Sequence, residues 1–290
     1  MILWPAASLT AVDWLIAPFE LGFQQRALIG GTVAAVALAL VGTWVVIRGM
    51  SFLGDALVHG VVPGIAVAVL FGFNVLIGAA AAAVLMMLGI NLVHRQTTFS
   101  EDTSIGLLFV GMLGLGVIII SRTDSYSGNL TEILFGDALG VTAADIGLLV
   151  GLLAVTLVGT VLLFRPFLAL SFNEQKAQLL GLRPRMAHAA LLGLITIAIV
   201  GSFQTVGTLL VFGLLVGPPA TAALIVRRVP MIMTLAAAIG VFSVAAGLVI
   251  SYHANTSGSA TMAVVPIVLF FVTLSGRALR THARVAATTA

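Results

Sequence analysis

Long apolar runs separated by short polar breaks dominate this sequence. A helix that crosses a membrane needs about 20 predominantly apolar residues. The predicted spans are residues 27–47, 56–73, 75–93, 103–121, 144–164, 186–202, 204–226, 231–250 and 260–276. The weakest divisions lie at Gly72 to Asn74 and at Ser202 to Gln204, so eight or ten spans would fit the same pattern. The pattern predicts an all-α, polytopic membrane bundle of about nine helices, forming a single domain over residues 1–290.

The composition agrees with a membrane protein. Of 290 residues, 60% are hydrophobic and 8% are charged, against about 25% charged in ordinary soluble domains. The pI near 10.2 comes from 13 basic and 10 acidic residues. The basic residues stand at the ends of apolar runs rather than in patches, which argues against nucleic-acid binding. Because the chain has no cysteine, any metal must be bound by oxygen and nitrogen ligands.

The basic residues also predict the orientation. If the N-terminus is outside, eleven of them fall on inner segments and only Arg26 and Arg122 on outer ones. This bias places the C-terminus and a tail, residues 277–290, in the cytoplasm. Residues 1–25 have no basic stretch before their apolar part, so they are predicted to be an interfacial segment rather than a cleaved signal peptide.

The predicted inner loop, residues 165–185, is too long for a simple connector. Ser171 and Glu174 have the spacing of a capping box, and Gly181 fits a helix C-cap. These signals predict a short amphipathic helix from Glu174 to Leu180. Such a helix could dock a soluble partner on the cytoplasmic face, and a helix that lies in the lipid headgroups fits the pattern equally well.

Asp55 and His59 carry the most informative chemistry in the chain. They lie four residues apart in an apolar stretch, so on a helix they share one face. A carboxylate and an imidazole at that spacing can bind one divalent cation together. In the alternative reading, Asp55 pairs with Arg48 near the membrane interface and His59 hydrogen-bonds a neighbouring helix.

Several familiar energy-coupling and catalytic motifs are missing. The sequence has no phosphate-binding loop, and its only lysine is Lys176. It also has neither a His-Glu-x-x-His pair nor a Gly-x-Ser-x-Gly elbow. A transporter of this composition must therefore take its energy from an ion gradient or from a separate ATPase. Few ionisable residues lie within the spans, which weighs against a gradient-driven carrier.

Four ordered motifs resemble the permease subunit of bacterial ABC importers for manganese, zinc and iron. The first stretch, Arg48 to Gly64, contains methionine–serine, glycine–aspartate–alanine, a histidine and a proline–glycine in the family's order. The others are the acidic segment Glu101 to Gly106, the segment Ser171 to Leu182, and the region Val206 to Ala222. The resemblance covers roughly residues 20–280. The tripeptide Gly217-Pro218-Pro219 departs from the family's usual apolar–apolar–proline, which puts the backbone geometry of that span in question.

The resemblance implies a transport subunit that is not itself an enzyme and has no tightly bound cofactor. Its partners would be a cytoplasmic ABC ATPase, an extracytoplasmic metal-binding protein and a second copy of the chain, in the inner membrane. Asp55 and His59 match the aspartate–histidine pair that contacts the passing ion. The residues that would couple to the ATPase are Ser171, Phe172, Asn173, Glu174, Lys176, Leu180, Gly181 and Leu182.

The donor types favour zinc as the transported ion, then manganese, with iron third. Tetrahedral nitrogen and oxygen ligation suits zinc, whereas manganese prefers more oxygens and six ligands. His253 is a candidate ligand at the outer mouth, although a solvated loop histidine fits as well. Two rival functions are a permease for a metal chelate such as a siderophore and a gradient-driven metal carrier.

Overall fold

The computed structural model describes residues 11–98, 101–121, 140–172 and 183–289. Within those ranges the chain is helical and contains no strand. The helices are α1 (Ala11–Ile16), α2 (Gly22–Ile47), α3 (Ser51–Gly60), α4 (Val62–Phe71), α5 (Val75–Gln96), α6 (Glu101–Ile120), α7 (Ala143–Leu162), α8 (Phe164–Phe172), α9 (Pro184–Val206), α10 (Thr208–Ile225), α11 (Val229–Ala254) and α12 (Gly258–Thr289). A 3₁₀ turn, Ala17–Glu20, joins α1 to α2.

Nine spans long and apolar enough to cross a membrane lie in the described part of the chain, with α3 and α4 together forming one of them. This confirms the predicted all-α, polytopic fold. The α2 span, the α3–α4 span and the α9 span are each 67% buried, whereas α7 and the span of α12 are 17% buried. The first group forms the centre of the bundle, and α2 contacts α7, α9, α10 and α11 around it.

Local signals in the sequence explain several helix ends. The side chain of Asn74 accepts a hydrogen bond from the Leu76 amide and caps α5. Thr142 and Asp145 form a capping box at the start of α7. Gly72 ends α4 in the left-handed conformation (φ 70°), which glycine adopts at little cost.

Two predicted boundaries were wrong. The second span begins at Ser51 rather than at residue 56, because the polar residues Ser51 and Asp55 continue the helix instead of preceding it. The division predicted at Ser202 to Gln204 lies instead at Gly207, whose positive φ of 82° separates α9 from α10. Ser202 is buried inside α9. Serine tolerates a helix interior, whereas a positive φ is costly for any residue with a side chain.

The predicted inner loop, residues 165–185, also begins differently from the expectation. Helix α8 follows α7 at once, and it contains Ser171 in its last turn, where the hydroxyl donates to the Phe167 carbonyl. Phe167 is fully buried and lies edge-on to Trp44 at 5.6 Å, so α8 belongs to the core of the bundle. The predicted helix from Glu174 to Leu180 lies outside the described residues.

The double proline does not interrupt α10, which continues from Thr208 to Ile225. Pro219 has no N–H to donate to the carbonyl of Leu215, four residues earlier. Helix α2 places Gly42 directly against that oxygen, and a Cβ at Gly42 would overlap it. A glycine on one helix therefore matches a proline-disrupted turn on the next, so the two backbones approach closely.

The two small-residue spacings, Gly60–Gly64 and Gly147–Gly151, differ in their surroundings. Gly64 lies against Gly78 of α5, and a Cβ on either glycine would overlap the carbonyl oxygen of the other. Within the structure, nothing lies within 4 Å of a Cβ built at Gly147 or Gly151. The first spacing therefore packs the bundle internally, and the second faces outward from α7.

Replacing Gly42 with alanine should destabilise the protein. The added methyl group meets the Leu215 backbone, which cannot yield without moving a helix, so we expect a loss of about 1–3 kcal/mol. Thermal unfolding of the solubilised full chain measures the effect. The matched control is Gly193→Ala, in the interior of α9, where a Cβ meets nothing within 4 Å. Equal midpoints for the two variants would contradict the close α2–α10 contact.

Candidate functional site

Asp55 and His59 lie on the same face of α3, as their spacing predicts. The Oδ1 atom of Asp55 is 3.5 Å from Nε2 of His59. The side chains remain partly accessible, with relative exposures of 28% for His59 and 32% for Asp55. The pair therefore presents one carboxylate and one imidazole together on the surface of the chain.

The earlier start of α3 sets the depth of the pair. Asp55 is four residues and His59 eight residues after Ser51, in a 21-residue span. At 1.5 Å per residue these positions are about 6 Å and about 12 Å along a span about 30 Å long. His59 therefore lies well inside the span, close to its middle, and Asp55 is one helical turn nearer to the end.

Aromatic side chains border the pair on one side. The ring of Phe109, from α6, lies edge-on to His59 with ring centres 6.1 Å apart, and edge-on to Phe52 at 5.8 Å. Phe52 itself is 41% exposed. On the other side, Gly60 accommodates the side chain of Met86. Helices α5 and α6 thus hold α3 in place and leave the face with Asp55 and His59 accessible.

The helix break just after His59 is a consequence of Pro63. Proline cannot donate a hydrogen bond to the carbonyl of His59, four residues earlier. The amide of Val61, between α3 and α4, turns to that carbonyl instead. The break lies within two residues of the imidazole, so it is at the site rather than at a span end.

One chain supplies too few ligands for a closed metal centre. Among the residues that the structure describes, no group of three or more histidine, cysteine, aspartate or glutamate side chains converges. Structural zinc sites in proteins almost always have four protein ligands. An Asp–His pair alone is a weak chelate, which is suited to holding an ion briefly and releasing it.

Arg48, the alternative partner for Asp55, lies close to a residue that the sequence analysis did not single out. Its Nη1 atom is 3.3 Å from Nδ1 of His188, on α9. Since guanidinium only donates, the imidazole nitrogen accepts. This contact joins the end of α2 to the first turns of α9, the helix that follows the predicted coupling segment in the sequence. No sequence motif predicts this contact, because Arg48 and His188 are 140 positions apart.

His253 contacts the N-terminal segment. It lies in the last turn of α11, its Nε2 atom is 2.9 Å from the Trp14 carbonyl oxygen, and its ring is stacked on the Trp14 ring at 4.1 Å. A metal at His253 would therefore have to use Nδ1 in this arrangement. The role of His253 as an outer-mouth ligand stays a prediction, as does the coupling role of Asn173 to Leu182, which lies outside the described residues.

These features define a class of protein: a polytopic helical membrane protein with a partly exposed chelating pair set inside one span. The model of the ABC 3 transport family matches residues 20–277. The chain therefore belongs to the ABC 3 transport family. The resemblance to permease subunits of metal ABC importers is confirmed, and the chain is a transport subunit rather than an enzyme.

Individual relatives agree over most of the chain. The manganese transport system membrane protein MntC of Listeria innocua is 36% identical over 255 residues, covering 87% of this chain and 90% of that protein. The chelated iron transport system membrane protein YfeD of Yersinia pestis is 30% identical over 257 residues, covering 89% and 86%. The structure of PsaBC from Streptococcus pneumoniae in complex with Fab has a TM-score of 0.80 at 30% identity, covering 91% of this chain and 95% of that chain.

Replacing Trp14 with alanine should release the N-terminal segment from α11. The change removes the ring stacked on His253, and aromatic contacts of this kind contribute about 0.5–1.5 kcal/mol. We expect hydrogen exchange of the amides in residues 11–20 to become about threefold to tenfold faster. Leu15→Ala, at a neighbouring exposed position, is the matched control. Unchanged exchange in Trp14→Ala would show that the contact with His253 does not hold this segment.

Proposed function

We propose that this chain moves a divalent transition-metal ion across the cytoplasmic membrane, and that the ion passes between Asp55 and His59. The observation that carries the proposal is the position of this pair: partly exposed, 3.5 Å apart and well inside a membrane span. Ionisable side chains are costly against lipid, so those within a span face a polar path or a partner. Membership of the ABC 3 transport family supports the same role.

A second copy of the chain is the partner that suits this face best. Two copies related by a two-fold axis would bring two carboxylates and two imidazoles together, which makes a four-ligand site of nitrogen and oxygen donors. The homodimer would thus cover the exposed pair and complete the coordination of the ion.

The energy for transport would come from a separate ATPase. The segment from Ser171 to Leu182 is the proposed docking element. An extracytoplasmic metal-binding protein would deliver the ion to the other face. The excess of basic residues on one set of loops supports an orientation with the N-terminus outside and the C-terminus in the cytoplasm. ATP binding and hydrolysis would then drive alternating access of the path to the two sides.

Two arguments bear on the identity of the ion, and they favour different metals. MntC, named for manganese, is 36% identical to this chain, and YfeD, named for chelated iron, is 30% identical. The higher identity makes manganese the first candidate. The Asp–His donor set suits zinc if four ligands close around the ion, and zinc stays a prediction on that ground. A chelate permease is the rival supported by the YfeD name, but a chelate needs room rather than a pair of protein ligands.

The Asp55→Asn and His59→Gln variants should abolish metal uptake while ATP hydrolysis continues. Each change keeps the approximate size of the side chain and weakens a metal ligand, so we expect at least a tenfold loss of transport. The assay is uptake into proteoliposomes that contain the permease, its ATPase and its binding protein. Glu20→Gln and His282→Gln, which make the same chemical changes away from the pair, should transport normally. Normal uptake by both pair variants would remove Asp55 and His59 from the ion's path.

Competition between ions should identify the cargo. We expect excess Mn²⁺ to suppress uptake of labelled Mn²⁺ completely, and Zn²⁺ to do so only if it binds the same four donors. Any transport that remains in Asp55→Asn should be lower for Mn²⁺ than for Zn²⁺, because manganese depends more on oxygen ligands. Transport of a ferric chelate that survives excess free metal would contradict a bare-ion cargo.

A further inference from the structure

A cleft of about 550 Å³ opens between the end of α10 and the second half of α12, far along the chain from the Asp–His pair. Its lining divides into two kinds of side chain. Leu224 and Ile225 contribute an apolar wall, while Arg227, Arg277 and Arg280 contribute three guanidinium groups. Three cations in one cleft repel one another, so the arrangement favours an anion between them.

The arginines are positioned by the two helices. Arg277 donates to the Leu224 carbonyl, which lies in the last turn of α10, where helical carbonyls lack a partner in their own helix. Arg280 follows Arg277 by three residues on α12, so both project from the same face. Arg227 follows α10 by two residues. Two separate elements therefore direct positive charge into the same space.

The chain supplies little negative charge to balance this cleft. After Glu174 the sequence contains no acidic residue. Across the described residues, the structure shows an ion pair between His59 and Asp55 and none at Arg227 or Arg280. Arg227 and Arg280 are exposed, and neither has a carboxylate of this chain within ion-pair distance in that part of the structure. Both side chains are therefore accessible to an anion from outside the chain.

The cleft lies at the level where a span meets water. Helix α12 is free of charged side chains from Gly258 to Gly276, and Arg277 and Arg280 are the first charged residues that follow this apolar run. On the neighbouring helix, Ile225 ends the span of α10, and its side chain is 56% exposed. An apolar wall directly beside three guanidinium groups matches the junction between the acyl chains and the phosphates of a lipid layer.

We propose that this cleft binds the phosphate group of an anionic phospholipid. The guanidinium groups of Arg227 and Arg280 would hold the phosphate oxygens in the forked geometry that arginine offers. The start of an acyl chain would lie along Leu224 and Ile225. Basic pockets between membrane helices bind anionic headgroups in this way. Inorganic phosphate offers the same oxygens without the apolar tail, so the apolar wall distinguishes the two ligands.

Native mass spectrometry of the full-length permease tests the proposal directly. The detergent-solubilised protein is titrated with phosphatidylglycerol, with phosphatidylcholine, or with inorganic phosphate. We expect phosphatidylglycerol to bind at least tenfold more tightly than the other two. Each arginine removed from the cleft should weaken that binding about fivefold, the size of one basic residue's attraction to an anionic lipid surface. The variants are Arg227→Gln, Arg280→Gln and their combination.

Two further variants separate the cleft from general positive charge. Arg228→Gln makes the same change at the adjacent residue, which does not line the cleft, and it should bind phosphatidylglycerol as the wild type does. Gly276→Leu keeps every charge but fills the cleft, because a Cβ at Gly276 now meets open space. It should weaken binding as much as the double arginine variant. All variants should unfold at the wild-type temperature in detergent without added lipid.

Several results would overturn the proposal. An equal loss of binding in Arg228→Gln would show that charge at the membrane boundary acts without the cleft. Inorganic phosphate that binds as tightly as phosphatidylglycerol would make this a free-anion site. Variants that keep lipid binding but fail to assemble with the ATPase would make the cleft a contact for that subunit.

Discussion

The membrane imposes one constraint that the rest of this structure follows: an ionisable side chain within a span must face something polar. Among the ionisable side chains in the nine described spans, His59 lies farthest from a span end, and Asp55 is one helical turn away from it. Burying these groups among α5 and α6 would have hidden them from any ion. The fold instead leaves them partly exposed beside Phe52 and Phe109. A face of this kind is stable only with water or another protein surface against it.

The rest of the bundle is held together by close contacts that do not involve the face with Asp55 and His59. Lipid provides no hydrophobic drive for helices to associate, so close packing and hydrogen bonds must hold them together. Gly42 against the Leu215 carbonyl and Gly64 against Gly78 supply that packing, with backbones nearly in contact. Both contacts involve spans at the centre of the bundle. The core is therefore fixed by backbone contacts, and the chelating side chains are free to bind a ligand.

Much of this arrangement could be predicted from the sequence, and the failures have physical causes. Nine apolar runs predicted nine spans, since a length of apolar residues is all that a span needs. The i, i+4 spacing of Asp55 and His59 predicted their shared face, because that depends only on helix geometry. The second span was predicted to begin too late, at residue 56, because hydropathy excludes the polar residues Ser51 and Asp55, although a helix can begin with polar residues.

Contacts between distant segments are the part that the sequence conceals. Nothing in the pattern pairs Gly42 with Leu215, or Trp14 with His253, because each contact depends on how whole helices cross. The double proline illustrates the point. Read alone, Gly217-Pro218-Pro219 suggests an interrupted span, yet α10 continues through it because Thr221 donates to the Gly217 carbonyl and α2 packs tightly alongside. A local irregularity is tolerated where the neighbouring helix is shaped to receive it.

The distribution of charge along the chain gives its two ends different chemistry. All the carboxylates lie within the first 174 residues, including Asp55, so the ligands for a cation come from the first part of the chain. The last part has only basic side chains, and the cleft between α10 and α12 gathers three of them. A cation in transit would be repelled by that cleft and attracted by Asp55. In the proposed mechanism, this separation would keep the ion's path near α3 and leave the arginine-rich end to interact with anions at the membrane boundary.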